Sequence, residues 1–288
     1  MGDPSQSIAA VVLAFSRFEY MQKLIAALRA QTHPPDEIIV VYQGPRDDIA
    51  QWLATQQDLH VVRRENKGSA GGFCFGIEES LRRGHRWTWT FDDDAIPEPN
   101  ALEELVRCPG FSQTDTVFLA SRIIDRYGKT YMSPAPADAN RWYGSVLRDR
   151  CIEVIGACWV GVLVNSDAVR QHGLPIAEFF LCEEDLEFTT RLARHGRAYC
   201  PINSVIVHYQ DATFDPFGKD FIKNAYATRN RIARAKVEPG SMPKKVLRSL
   251  RRTLQFVVLI AQRKAPLRTV PWIARGLFLF WPRIRYPG

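Results

Sequence analysis

The sequence predicts an α/β protein built on a sheet whose first strands run parallel. Two observations carry this: apolar runs of strand length recur through the first ninety residues, and helical apolar spacing fills the gaps between them. Ile8 to Phe15 is continuously apolar, as a strand covered on both faces must be. Phe18 to Ala30 follows with apolar residues at helical spacing. Glu37 to Tyr42 repeats the strand, Ile49 to Leu53 suggests a helix, and Leu59 to Val62 is a third strand. Gly72 to Leu81 reads as helix and Trp87 to Phe91 as a fourth strand. Such alternation requires right-handed crossovers, and its ligands bind beyond the carboxyl ends of the strands. The segments after Phe15, Tyr42, Arg63 and Phe91 are therefore the informative ones.

After Pro97 the rhythm changes. Ala101 to Val106 looks helical, Thr116 to Ile124 reads as a strand, and Asp125 to Arg150, rich in Gly, Pro, Ala and aromatics, reads as a long loop or hairpin over a site. Glu153 to Asn165 returns to strand character. Phe179 to His195 passes from an aromatic approach into an amphipathic helix, and Ala198 to His208 is extended. Everything to residue 237 can form one domain, with Glu238-Pro-Gly-Ser-Met-Pro243 opening a basic helical tail over 238–288.

At 288 residues with 46% hydrophobic and 24% charged content, the chain can bury a sizeable core, which excludes collagen-like, disordered and wholly membrane-embedded classes. The +7 charge is uneven. Lys244 to Gly288 holds eleven basic residues and no acidic one, leaving 27 basic against 31 acidic before it, so the body is not a nucleic-acid binder. The six cysteines form no C-x-x-C pair and read as core thiols in a reducing compartment. The polar Met1–Ser7 opening has no basic n-region, and no apolar run approaches the ~20 residues of a spanning helix. A cytosolic chain, or one attached to the cytosolic face of a membrane, is expected.

Four constellations could carry chemistry. Asp92-Asp93-Asp94 follows an apolar strand directly. Three adjacent like charges repel, and in an extended segment Asp92 and Asp94 share one side, where they can meet a hard divalent ion, while Asp93 faces away. A solvated acidic turn capping the next helix is the competing reading. Asn66-Lys67-Gly68-Ser69-Ala70-Gly71-Gly72 matches neither G-x-x-x-x-G-K-[ST] nor G-x-G-x-x-G, but glycines at a helix N-terminus admit a phosphate or sugar; a flexible turn is the alternative. Glu183-Glu184-Asp185-Leu186-Glu187 heads a helix. Capping and the helix dipole explain one or two of these acids, and Asp185, after the apolar Phe179–Cys182 approach, can sit desolvated at a cleft and take a proton from a hydroxyl. His208 ends the strand Val205–Val207; alone it reads as a surface or hydrogen-bonded residue, and Asp92 with Asp94 would make it a ligand.

Together these features resemble the family-2 glycosyltransferases of the GT-A fold, inverting enzymes that take a sugar from a nucleoside diphosphate. The likeness covers about Ile8 to Arg231. It is carried by Val11–Arg17, the N-x-G-x-A-G-G-x-x-x-G stretch from Asn66 to Gly76, Asp92-Asp93-Asp94, Gly156-Ala157-Cys158, Glu184-Asp185 with Arg191, and Val207-His208, all in order. The resemblance implies a Rossmann-like mixed sheet flanked by helices. It implies Mn²⁺ or Mg²⁺ on Asp92, Asp94 and His208, with Asp185 as the catalytic base. The donor side would be lined by Ala14, Phe15, Arg17, Asn66, Gly68 and Gly71, with Asp92 and Asp93 at the strand end. Phe91–Asp94 and Tyr226–Arg231 (Tyr-Ala-Thr-Arg-Asn-Arg) look most like the galactofuranosyl- and rhamnosyltransferase branch. Many relatives carry V-D-x-x-S after the second strand where this chain has Val41-Tyr42-Gln43-Gly44-Pro45. Gln43 could contact the base instead, which leaves UDP- and dTDP-sugars both open.

The tail holds Leu247, Leu250, Leu254, Val257 and Val258 at helical spacing among arginines, then an apolar Gly276–Trp281 block before Arg283 and Arg285. This pattern predicts peripheral contact with anionic lipid, which would bring the enzyme to a saccharide or polyprenyl-linked acceptor in cell-surface polysaccharide or lipopolysaccharide synthesis. A helical extension packed on the core or a dimer interface is the alternative for the tail. A metal-dependent sugar nucleotidyltransferase would carry a basic Gly-rich loop near the N-terminus, which Ala14–Arg17 is not; a non-enzymatic polybasic membrane-associated protein would bind no nucleoside diphosphate.

Overall fold

A computed structural model describes residues 6–131, 134–209 and 221–288; most of the polar opening and two positions of the Asp125–Arg150 segment lie outside the described residues. The first half follows the expected alternation: β1 (Ile8–Ala14), α1 (Phe18–Arg29), β2 (Glu37–Tyr42), α2 (Asp47–Ala54), β3 (Leu59–Arg63), α3 (Gly68–Arg82) and β4 (Trp87–Asp92). It continues through β5 (Ala95–Pro97), α4 (Ala101–Arg107), β6 (Thr116–Ala120), β7 (Arg122–Ile124), β8 (Ala135–Pro136), α5 (Ala139–Asp149), β9 (Cys151–Gly156) and β10 (Val162–Asn165). The remainder is α6 (Ser166–His172), α7 (Glu184–Leu192), β11 (Arg197–Pro201), β12 (Val205–His208), α8 (Phe221–Val237), α9 (Met242–Ala261) and α10 (Val270–Ala274).

The main sheet runs β3-β2-β1-β4-β10-β6-β11-β9-β8. Its first four strands are parallel, and β10 enters antiparallel to both β4 and β6, which makes the sheet mixed. Period-two alternation divides β1 between two cores. Ala10, Val12 and Ala14 pack with Met21, Leu24, Ile25 and Leu28 of α1, while Ala9 and Val11 pack with Phe73, Cys74 and Ile77 of α3. Each fully buried Leu, Ile or Met contributes roughly 1.5–3 kcal/mol, so both faces of β1 are committed to core. Helix α3 lies so close to the sheet that a Cβ at Gly72 would clash with Leu13 Cδ1.

Four expectations require correction. The Thr116–Ile124 strand breaks at Ser121, whose N–H and hydroxyl turn to Gly161 O, and β7 leaves for a second sheet ordered β5-β12-β7. Glu153–Asn165 is two strands, β9 and β10, separated in the sheet by β6 and β11; the chain turns between them at Gly161, φ +71°. Ala198–His208 likewise divides into β11 of the large sheet and β12 of the small one. The Asp125–Arg150 stretch contains helix α5, started by Asp138, whose carboxylate accepts from Arg141 N; its aromatic and glycine content masked that cap signal.

Beyond Val237 the chain stays on the domain. Glu238 receives Arg234, Arg248 and Arg252 at the α8–α9 junction. Phe280 and Ile284 pack with Ile176 and Phe179, and Arg285 reaches Glu78 of α3.

Candidate active site

The small sheet builds the centre of the site. Asp92 ends β4, a turn carries the chain through Asp93 and Asp94, and β5 then pairs antiparallel with β12 so that Ala95 faces His208. The Tyr209 N–H donates to Asp94 O at 2.9 Å, which closes the ladder. Ligand atoms of Asp92, Asp94 and His208 thereby lie within 4.8 Å of one another. The turn, rather than an extended strand, brings the two carboxylates to one side. Asp93 points the other way: its oxygens accept from Phe15 N and Arg17 Nη1, both at 3.0 Å, and so lock the end of β1 to the end of β4.

His208 Nε2 lies 3.2 Å from Asp94 Oδ1, and its Nδ1 lies 3.0 Å from Tyr131 Oη. The Tyr131 ring stacks on the imidazole at 5.8 Å. The Tyr131 hydroxyl can accept a hydrogen bond from Nδ1–H, the tautomer in which Nε2 would offer its lone pair to a metal in place of a hydrogen bond to Asp94. Burial, then the Asp94 charge, push Asp92 up to about 7. Burial works against Asp94 too, yet the His208 contact and the Arg17 guanidinium hold it below its ordinary value. Asp94 Oδ2 is buried without a hydrogen bond, 3.3 Å from Arg17 Nη1. Two crowded carboxylates, one of them with a buried oxygen lacking a hydrogen bond, plus an oriented imidazole fit a divalent cation.

The head of α7 lines the same cavity. Three of the four acids at its head have protein partners: Glu183 pairs with Arg234 at 2.8 Å, Glu184 accepts from Ser69 Oγ, and Glu187 accepts from Arg191 Nε at 2.9 Å. Asp185 is left facing the cavity, with one oxygen accepting from Leu186 N at 2.7 Å. Desolvation, then the adjacent Glu184, push its carboxyl up to about 8. Thr189 fixes the first turn of α7 by accepting from Ala157 N at 3.0 Å, which gives the Gly156–Cys158 stretch a structural role. The approach to α7 is strained: Phe180, Cys182 and Glu183 all have positive φ, at about 1–3 kcal/mol each.

Arg17, Asp92, Asp94, Asp185 and His208 line one cavity of about 350 Å³, together with Ser69, Trp159 and Lys223. Gln43 and Gly71 instead line a separate cavity of about 550 Å³ beside α3. Gln43 does not present a free amide: Nε2 donates to Gly68 O at 3.1 Å and Oε1 accepts from Lys67 N at 2.7 Å, so it holds the start of α3. Asn66 Oδ1 accepts from Gly68 N at 2.8 Å. Gly68 and Gly71 sit in the first turn of α3, which begins four residues earlier than the sequence suggested. Ala14 ends β1 in the core, and Phe15 beside it is 44% exposed. Sequence reasoning missed Ser69, Tyr131, Trp159 and Lys223. Trp159 could have been found as the aromatic following Gly156-Ala157-Cys158, Tyr131 as a member of the segment expected over a site, and Ser69 as the hydroxyl within Asn66–Gly72; Lys223 carries no local signal.

The model of "Glycosyl transferase family 2" matches residues 9–172, more than half of the chain. Galactofuranosyltransferase GlfT1 of Mycobacterium tuberculosis H37Rv is 27% identical over 209 residues, 67% of this chain and 66% of that one. Putative glycosyltransferase EpsH of Bacillus subtilis is 27% identical over 218 residues, 71% of this chain and 60% of its own. The chain thus spans about two thirds or less of the length of these relatives. Among solved structures, S. aureus TarS 1-349 in complex with UDP-GlcNAc superposes with a TM-score of 0.60 at 12% identity, covering 94% of this chain and 80% of that one. GalNAc-T7 with UDP, GalNAc and Mn²⁺ gives 0.61 at 11% identity, covering 86% and 54%. At such identities the superpositions speak for the fold alone, a GT-A glycosyltransferase fold. With the family match across its strand-rich half, the chain belongs to glycosyl transferase family 2.

Proposed function

We propose that this chain transfers a sugar, galactofuranose or rhamnose, from a UDP- or dTDP-sugar to a hydroxyl of a saccharide or lipid-linked acceptor in cell-surface polysaccharide synthesis, with inversion at the anomeric carbon. The observation that carries this is the single cavity lined by Asp92, Asp94 and His208 together with Asp185. The galactofuranosyltransferase relatives support galactofuranose as the first donor to try. Asp92, Asp94 and His208 would hold Mn²⁺ or Mg²⁺, which supplies positive charge to a diphosphate. Arg17, half-exposed beside them, adds a fixed cation at the same wall. Asp185, raised toward neutrality, is matched to accept the acceptor's hydroxyl proton as the oxygen attacks from the face opposite the diphosphate. Holding both reactants in line contributes ~7–11 kcal/mol to the barrier reduction. Ala14, Phe15, Arg17, Asn66, Gly68 and Gly71 form the donor side in this reading, with Gln43 and Asp93 acting through the backbone they hold.

Residues 1–237 are the transferase domain in this reading and 238–288 a basic tail seated on it. Leu247, Leu250, Leu254, Val257 and Val258 of α9 are exposed, and Lys244, Lys245 and Arg251 lie among them. Among the described residues no helix is long and apolar enough to cross a membrane. This face supports peripheral contact with an anionic, cytoplasmic membrane surface, each Lys or Arg there contributing roughly 1 kcal/mol. A thermal-shift screen of nucleotide sugars with and without Mn²⁺ tests the main reading: a donor at a hundredfold its Kd stabilises by about 2.7 kcal/mol. The expected result is a metal-dependent rise with UDP-galactofuranose or dTDP-rhamnose; no rise with any nucleotide sugar in either condition refutes it.

A further inference from the structure

Among the described residues the Tyr226–Arg231 stretch makes no hydrogen bond or ion pair with the cavity's acids, yet it grips the segment that delivers one of them. Between Phe179 and Glu183 the chain makes a tight γ-turn, with Leu181 N–H donating to Phe179 O at 2.7 Å across Phe180 (φ 63°, ψ −56°). Cys182 and Glu183 then add two more left-handed residues before α7. Three of the five non-glycine positive-φ positions among the described residues therefore fall within four consecutive positions. A segment folded this way leaves its carbonyls without helix or strand partners, and buried carbonyls must find donors elsewhere.

One side chain supplies most of them. Asn230, fully buried on α8, directs its amide NH₂ at Phe179 O, Leu181 O and Cys182 O, at 2.9, 2.9 and 2.8 Å. Arg229 Nε donates to Asn230 Oδ1 at 2.9 Å, which fixes the orientation of the amide, and Arg229 Nη2 donates to Glu178 O and Phe179 O. The remaining carbonyl, Phe180 O, accepts from Ala70 N at the start of α3. Behind the clamp, Phe280 covers the Arg229 guanidinium at 4.0 Å and Gly276 lies against the Arg229 backbone.

We propose that Asn230, oriented by Arg229 and backed by the C-terminal segment, is a positioning residue for Asp185: it holds the left-handed turn so that α7 begins with Asp185 facing the cavity. This role follows from the reading of Asp185 as the base. It converts the tail from an appendage into a brace for the reaction, because the covering Phe280 and Gly276 belong to it.

The test uses the whole chain with two substitutions. Asn230→Asp preserves size and sets a carboxylate oxygen against three carbonyl oxygens; Arg229→Lys keeps the charge and loses the fork that fixes the amide. Each variant is measured by hydrogen exchange over residues 177–186, by Mn²⁺–UDP affinity, and by transfer from UDP-galactofuranose to a panel of alkyl glycosides across pH. A misplacement near 1 Å lowers turnover about 100-fold, so Asn230→Asp is expected to lose about that in kcat and Arg229→Lys less. Donor KM and Mn²⁺–UDP affinity should stay within about twofold, with exchange accelerated in the turn alone and the ascending, low-pH limb of the pH profile displaced. An opened turn with unchanged kcat overturns the proposal. So does protection lost across the whole sheet with donor affinity falling in step, the mark of a purely structural residue. If Asn230→Asp does not fold, Arg229→Lys decides by the same criteria. Absence of transfer by the wild-type chain overturns the base assignment and this role with it, and the exchange data then show whether the clamp on the turn exists independently.

Discussion

Replacing Asp185 by Asn removes one titrating oxygen from the cavity while keeping the side chain's size and an oxygen to accept from Leu186 N, so the start of α7 should survive. With the carboxyl pushed up to about 8, roughly one molecule in ten carries the carboxylate at pH 7 and one in a hundred at pH 6. Transfer should therefore rise about tenfold per pH unit below 8 and level off above it, because the base acts only when deprotonated. Asp185→Asn should abolish that limb and lower kcat by ~10²–10⁴, about 2.7–5.5 kcal/mol of transition-state stabilisation. Donor KM should change little, since Asp185 is not one of the Asp92, Asp94 and His208 group whose ligand atoms converge. The assay is steady-state release of the nucleoside diphosphate from pH 5.5 to 9.5 with a saccharide acceptor. Near-normal transfer by the variant, or an unchanged pH limb, would refute the assignment.

Other predictions follow from neighbouring contacts. Tyr131→Phe removes the phenol from His208 Nδ1 and should weaken Mn²⁺ binding about 10–100-fold by calorimetry, with folding intact. Gly68→Ala drives a Cβ into Phe180 O at a φ of +70°, and should lower stability by about 1–3 kcal/mol in urea denaturation; an unchanged midpoint would show that α3 and the turn can separate freely. Replacing Leu250, Leu254 and Val257 together by Ser should reduce co-sedimentation with anionic liposomes without altering the melting temperature, since all three are exposed. Equal co-sedimentation would remove α9 as the lipid contact.

Much of the fold was legible because β1, β2 and β4 are buried on both faces, and only continuous apolar runs meet that demand. The second sheet was not. Its strands β5 and β7 have three residues each, too short for periodicity, and the breaks at Ser121 and Gly161 are set by contacts between distant segments. The same division applies to the candidate site. Asp92, Asp94, Asp185 and His208 stand out by residue type and by position at element ends. Tyr131, Ser69 and Asn230 do not, because their contacts span 77, 115 and about 50 residues of chain. Gln43 marks the limit of reading by analogy: its place after β2 was legible, and its engagement with the backbone of Lys67 and Gly68 was not.

The pairing of β5 with β12 has one further consequence. His208 reaches Asp94 through a ladder of three residue pairs, so the imidazole's location depends on strand register and hardly at all on how many residues separate the two. A one-residue slip would turn His208 to the opposite face, whereas lengthening the excursion between them adds only a logarithmic entropy term. Insertions around Asp125–Lys129 or α5 would therefore leave the Asp94–His208 contact in place as long as the β5–β12 register is kept.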